Sequence, residues 1–170
     1  MTTPERTEPS TTAGERDMLE GWLEYHRETL EMKCAGLGDE QLRQLSVPPS
    51  EISLLGLVRH MAEVERSWFR KILAGESVEW IYSSEDKDGD FHVSEQDTYA
   101  EAHATWQAEI VRARELAAAH GLDDVAQSKH PRTGEVFNLR WIMTHMIEEY
   151  ARHNGHADLI RERIDGATGE

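Results

Sequence analysis

The residues best suited to chemistry lie near the C-terminal end of the 170-residue chain, around the segment "EEYARHNGHADLIRE" at 148–162. This segment contains two histidines and four acidic residues. His145, Glu149 and His153 are spaced by four residues, and His156 follows His153 by three. Residues three or four positions apart lie on the same side of an α-helix, so these four side chains are predicted to share one broad face.

The same face also holds Arg152, and it borders an apolar stripe. A solvated face of an amphipathic helix normally lies opposite the stripe that faces the core, whereas these ionisable residues flank it. We therefore predict that they line a groove beside the core. The alternative is that Glu149 and His153 form an exposed pair that only stabilises the helix slightly. The apolar stripe consists of Ile142, Met146, Tyr150, Ala157 and Ile164.

A further histidine lies on an earlier predicted helix, in "LVRHMAEVERSWF" at 57–69. His60 is at the edge of the apolar stripe of that helix, so the helix can bring it to the same groove as Glu149 and His153. Two imidazole nitrogens and one carboxylate oxygen suit zinc or nickel, and three protein ligands leave a position open for water or substrate. We predict that these three residues hold a divalent metal, with zinc preferred over nickel.

The elements that position these residues follow from the spacing of apolar residues, which predicts four amphipathic helices of roughly 20 to 25 residues each. Ser94 is predicted to begin the third helix, with Asp97 three residues later as a weak capping box. The fold class is therefore all-α, a four-helix bundle with long crossover connections. The predicted helices cover residues 15–36, 50–75 or 53–75, 94–121 and 139–164.

The domain organisation is simple. Residues 1–13 are rich in Thr, Pro, Ser and Glu and lack periodicity, so we expect a disordered N-terminal arm. Residues 14–165 form the bundle, and 166–170 are a tail. The N-terminal segment has no apolar stretch, so we expect no signal peptide, and no apolar run approaches the ~20 residues of a membrane helix.

The formal net charge of −15 bears on the choice of partner. Nucleic-acid binding and docking to an anionic membrane both need a basic face, and no basic run is longer than Arg70–Lys71. We expect neither, and predict a small-molecule substrate instead. The one cysteine, Cys34, excludes an internal disulfide and suggests the cytoplasm. Cys34 lies on or beside an apolar stripe, so we predict an inert, buried thiol.

Two segments resemble the DinB-like superfamily and, within it, the mini-circle protein group. They are "SLLGLVRHMAEVERSWF" at 53–69 and "LRWIMTHMIEEYARHNGHADLIRE" at 139–162. The resemblance implies a four-helix bundle in which one histidine of the second helix and two residues of the last helix hold a metal. The matching positions here are His60, Glu149 and His153. A His/Glu/His set is similar to that of the N-terminal domain of mycothiol-dependent maleylpyruvate isomerase.

The activity that this resemblance implies is thiol transfer. Relatives include thiol transferases that use mycothiol, bacillithiol or glutathione, while others have no known activity. We expect a metal-activated, mycothiol-like thiol to act here on an unidentified electrophile as an S-transferase or isomerase. A metal-activated water that performs hydrolysis is a variant. His145, Arg152 and His156 are predicted to orient the substrate or move protons. His156 stands where relatives have glutamine, so it is a candidate hydrogen-bond partner of a metal-binding residue, or a further ligand.

A non-enzymatic role is the other hypothesis. The same bundle would serve as a metal-binding or sensing protein, or as a dimeric interaction module. The apolar cluster Trp80, Ile81 and Tyr82 in a predicted loop supports two interpretations, a homodimer contact or a lid folded over the site.

Overall fold

The computed structural model describes residues 6–169 and contains, within that range, helices but no β-strand. The all-α prediction is confirmed. An isolated bridge joins Val125 and Asn138 in the connection before the last helix. The helices are α1 (Glu15–Cys34), α2 (Asp39–Leu42), α3 (Leu54–Glu65), α4 (Tyr99–Ala118) and α5 (Leu139–Asp165).

The long helices pack side by side around a single apolar core. α5 packs along α1 and also contacts α3, while α3 packs along α4. Because α3 and α5 are neighbours, residues on their facing edges can meet at one point. None of the helices within the described range has an apolar stretch long enough to cross a membrane. The largest fully buried side chains include Trp106, Tyr150, Phe69, Leu30 and Met61.

Side-chain caps fix where α3 and α5 begin. The Ser53 hydroxyl accepts a hydrogen bond from the Gly56 amide at 3.0 Å, and the Asn138 side chain accepts one from the Trp141 amide at 2.9 Å. Such caps satisfy amides that the first helical turn leaves free. At the other end, Gly166 closes α5 with φ of 77°, a left-handed conformation that glycine adopts at low cost.

The predicted start of the third long helix, which is α4 in the structure, was wrong. The helix begins at Tyr99, and Thr98 caps it by accepting a hydrogen bond from the Glu101 amide at 3.4 Å. The Asp97 carboxylate instead accepts hydrogen bonds from the amide and hydroxyl of Ser94, at 2.6 and 2.9 Å. These bonds close a local turn before the helix, and such turns compete with helix formation for the same side chains.

Beyond α3 the same helix continues as a π-helical segment over Arg66–Leu73. Hydrogen bonds in a π-helix span five residues rather than four, which rotates the buried face relative to α-helical spacing. The apolar stripe that begins at Leu54 and Val58 predicts, by α-helical spacing, that Trp68 and Ile72 both lie in the core. The structure buries Phe69 and Ile72, whereas Trp68 is only partly buried and contacts His145, with ring centroids 4.6 Å apart.

A buried ion pair ties α1 to α3 and α5. The Arg27 guanidinium donates to both carboxylate oxygens of Glu65, each at 2.8 Å, and Glu65 is fully buried. Glu65 also accepts a hydrogen bond from the Tyr150 hydroxyl, which in turn accepts one from the Trp106 indole, both at 2.8 Å. The bidentate geometry and the added donors compensate for the cost of burying both charges.

The structure describes only part of the predicted N-terminal arm. Residues 1–5 lie outside the described residues, so their predicted disorder stays a prediction. Residues 6–13 are irregular and lie against α1, where the Thr7 amide donates to the Glu28 carboxylate at 2.6 Å. On α1 itself, the predicted burial of Cys34 is confirmed, whereas Trp22 is 40% exposed.

Candidate functional site

The structure brings His60, Glu149 and His153 together at the facing edges of α3 and α5. One ligand atom of each side chain lies within 4.8 Å of those of the other two. Glu149 Oε2 is 3.4 Å from His153 Nε2 and 4.0 Å from His60 Nε2. We refer to these three residues as the triad. That they bind a metal stays a prediction, which the geometry makes possible because the three donors already converge.

The second nitrogen of each triad histidine has its own partner. His60 Nδ1 lies 2.7 Å from Asp90 Oδ2, and His153 Nδ1 lies 3.3 Å from His156 Nδ1. A proton held on Nδ1 by such a partner leaves Nε2 with a free lone pair, which is the arrangement that orients histidine as a metal ligand. The Phe91 ring, stacked on His60 with centroids 4.5 Å apart, further fixes the His60 ring.

The electrostatics of the triad favour a cation. The neighbouring His153 and His60 rings lower the pKa of Glu149 well below its usual value, against the opposing effect of burial. Burial by itself lowers the pKa of His60, but the Asp90 and Glu149 carboxylates outweigh it, so the pKa of His60 is raised. Without a metal, the two carboxylates therefore favour the protonated form of His60, and a divalent ion has to compete with that proton.

These residues fit a metal ion. His60 Nε2 is buried and, among the described residues, has no hydrogen-bond partner, although buried polar atoms normally have one. The donor set of two imidazoles and one carboxylate is typical of zinc sites with an open position. The ligand atoms of a tetrahedral zinc ion are about 3.4 Å apart, so only small side-chain movements are needed to close the triad around one.

Of the three residues predicted to orient substrate or move protons, two lie beside the triad and one is exposed. His145 is next to the triad, with Nε2 3.7 Å from Glu149 Oε1 and Nδ1 3.4 Å from Glu148 Oε2. His156 is partly buried beside His153, where burial lowers its pKa. Arg152 is exposed on α5, with its charge near His156. The structure thus brings His145 and His156 to the triad, and leaves Arg152 on the exposed side of α5.

Comparison with known proteins adds the family. A family model described as mycothiol-S-transferase matches residues 18–166, which hold all of α3, α4 and α5. The chain belongs to the mycothiol S-transferase family. This is a DinB-like family, so the broader resemblance in the sequence is confirmed, whereas the resemblances to the mini-circle group and to maleylpyruvate isomerase stay predictions. Comparison with curated proteins gave no match.

Sequence reasoning did not find every residue of the site in this member of the mycothiol S-transferase family. Asp90 and Phe91 lie in an irregular connection that we call the site loop, residues 79–91. Nothing in the periodicity of the chain points to them, because they belong to no helix and contact His60 through a fold of the loop. The available signal was chemical, since a metal-ligating histidine almost always has a carboxylate, carbonyl or water on its other nitrogen.

The site loop is fixed to α3 by several contacts. The Glu63 carboxylate accepts hydrogen bonds from the amides of Tyr82 and Ser83 at 2.6 and 3.0 Å. Arg59 donates to the Gly89 carbonyl at 2.8 Å and also lies 4.2 Å from the centroid of the Tyr82 ring. These contacts hold the loop against the helix that carries His60, which fits the lid interpretation of the apolar cluster. The homodimer stays a prediction.

Proposed function

We propose that this member of the mycothiol S-transferase family is a metal-dependent enzyme that transfers a mycothiol-like, low-molecular-weight thiol to a small electrophile. The observation that carries the proposal is the convergence of His60, Glu149 and His153 from two helices within a chain matched to that family. His60, Glu149 and His153 would hold the metal, with zinc preferred and nickel as the second choice. A divalent metal at this position would lower the pKa of a thiol enough to ionise it near neutral pH.

The proposed transfer is a substitution at an electrophilic carbon. The thiol loses its proton, its sulfur forms a bond to an electrophilic carbon, and the bond from that carbon to the leaving group breaks. His145 is suited to move the proton because its two nitrogens face the carboxylates of Glu148 and Glu149, at 3.4 and 3.7 Å. His156 is suited to hold His153 in its ligating tautomer, so we assign it a positioning role.

The chain's own thiol has no part in this chemistry. Cys34 is buried at the end of α1, and burial raises the pKa of its thiol to about 12. A thiol with such a pKa is protonated at neutral pH, and the thiolate is the reactive form. The nucleophile is therefore the small thiol.

Metal analysis of the purified protein, followed by turnover assays with mycothiol and model electrophiles, tests the proposal. His153→Ala should remove the metal, while His145→Ala should retain most of it and slow transfer. His103→Ala is a matched control, because His103 also pairs with a glutamate, Glu31 at 3.3 Å, but lies on α4 outside the site. Metal-loaded protein that gives no turnover with any thiol would favour the non-enzymatic alternative, and protein that binds no metal would refute the site.

A further inference from the structure

A second group of potential metal ligands adjoins the triad on α5. His145, Glu148 and Glu149 each offer one ligand atom, and these three atoms lie within 4.8 Å of one another. Glu148 follows His145 by three positions and Glu149 follows it by four, so α5 alone presents them on one side. We call these three residues the flanking group. Glu149 belongs to both the flanking group and the triad.

The two carboxylate oxygens of Glu149 face different histidines. Its Oε2 lies 3.4 Å from His153 Nε2 and 4.0 Å from His60 Nε2, whereas its Oε1 lies 3.7 Å from His145 Nε2. A carboxylate can bind one cation through each oxygen, and sites that hold two metal ions use this property. An ion at the triad therefore leaves Oε1 of Glu149 for a second ion.

We propose that the flanking group binds a second divalent ion when zinc is in excess, and that this ion inhibits thiol transfer. The inference rests on the proposed function, because the inhibition requires a first ion at the triad and a proton that moves through His145. A neutral imidazole has one N–H group and one lone pair. An ion on the lone pair of His145 leaves that ring unable to accept the proton of the thiol.

The ring of His145 is held in an orientation that suits an ion. Trp141 stacks on it with centroids 5.0 Å apart, and the edge of Trp68 meets it at 4.6 Å. Its Nδ1 lies 3.4 Å from Glu148 Oε2 while its Nε2 faces Glu149. Whichever nitrogen binds the ion, the other has a carboxylate to accept its proton, which is the usual environment of a ligating histidine.

The flanking group should bind zinc more weakly than the triad does. The side chain of Glu148 is 56% exposed, so an ion there competes with water and has to order that side chain. Two divalent ions on one carboxylate also repel each other, and the charge of Glu148 offsets this repulsion only in part. The second ion is therefore expected only after the triad is full, which makes the inhibition an effect of excess zinc.

Zinc titration of the metal-free full chain, in competition with a chromophoric chelator, should show one tight and one weaker ion per chain. Glu148→Gln should keep the tight ion and weaken the second at least about tenfold, because even removing the partner of a metal ligand costs roughly 10- to 100-fold. Glu162→Gln is the matched control, since Glu162 is also exposed on α5 but has no histidine three or four positions away. A single zinc ion per wild-type chain would overturn the inference.

NMR signals of the histidine rings show where each ion binds. The first equivalent of zinc should shift the signals of His60 and His153, and the second should shift those of His145. His92 and His103 are internal controls, because each pairs with one carboxylate but belongs to no group of three donors within the described part of the chain. A second equivalent that shifts either control in place of His145 would show that the second ion binds elsewhere.

Thiol-transfer assays at buffered free zinc test the inhibition. Excess zinc also binds free thiols, so the variants are compared in the same zinc buffer. Relative to its own rate at one equivalent, Glu148→Gln should need at least about tenfold more free zinc than wild type or Glu162→Gln for the same loss of transfer. Equal sensitivity of Glu148→Gln and wild type would refute the inhibitory role. If no thiol is transferred at any zinc concentration, the proposed function fails, while the titration and the NMR signals still decide for or against the flanking group.

Discussion

Replacing Asp90 with Asn should weaken zinc binding although Asp90 would not touch the metal. Asp90 is 6% exposed, and its Oδ2 lies 2.7 Å from His60 Nδ1, so it holds the proton on that nitrogen. An asparagine can place its amide group there instead, which favours the tautomer with the proton on Nε2. The lone pair needed for the metal is then lost unless the new hydrogen bond breaks.

The expected loss follows from the bond that is replaced. A hydrogen bond to a charged group contributes about 1.5–3 kcal/mol. At 1.4 kcal/mol for each factor of ten, zinc affinity should fall roughly 10- to 100-fold, in line with the usual effect of removing such a partner. Asp90 also raises the pKa of His60, so its removal weakens proton competition and partly offsets the loss near neutral pH. Zinc affinity should therefore be measured at about pH 8.5, where protons compete little with zinc for His60.

Competition with a chromophoric chelator gives the zinc affinity, and far-UV circular dichroism of the zinc-free protein shows whether the variant is folded. Asp86→Asn is the matched control, because Asp86 pairs with His92 Nδ1 at 2.5 Å in or beside the same loop but is exposed and outside the triad. An independent measurement is the His60 pKa in zinc-free protein by NMR, which should fall in Asp90→Asn. Zinc affinity within twofold of wild type at pH 8.5 would refute the reasoning.

Three further predictions, two on substitutions and one on thiol labelling, test the fold. Glu65→Ala should lower the free energy of unfolding in urea by about 3 kcal/mol, because it leaves the buried Arg27 without its bidentate partner, and a loss below 1 kcal/mol would contradict this. Cys34 should resist iodoacetamide in the native protein and react fully in denaturant, since burial raises its pKa to about 12, and rapid native labelling would argue against the buried position. Gly89→Ala should displace the site loop and lower both the melting temperature and zinc affinity, because its Cβ would lie 2.4 Å from the Tyr82 carbonyl oxygen, and unchanged values would show that the loop yields freely.

The helices and the triad spacing were accessible from the sequence because both depend on local periodicity. The interval of four between Glu149 and His153 fixes their common direction once α5 forms, whatever its neighbours do. His60 at the edge of an apolar stripe could be placed facing the same groove because a bundle has few ways to bury two such stripes. Element boundaries were less accessible, as at Ser94, where a local turn competes with the helix.

Two features of the site depend on contacts that no periodic pattern records. The π-helical segment changes the register after Glu65, so the position of Trp68 could not follow from α-helical spacing. Asp90 is thirty residues from His60 in the chain and reaches it only through the path of the site loop. Chemical expectation can say that His60 needs a partner, but only the folded loop determines which carboxylate supplies it.

The site therefore divides between two kinds of structure. Helices α3 and α5 carry His60, Glu149 and His153, whose relative positions are fixed by the packed core. The site loop carries Asp90 to His60, and Glu63 anchors the loop by accepting the Tyr82 amide. Because the loop contributes the partner of His60 but no predicted metal ligand, changes in its sequence can alter the orientation of His60 while the helices keep the triad together. The predicted metal ligands and the carboxylate that orients one of them thus belong to different elements, which is why helical spacing pointed to the first and gave no information about the second.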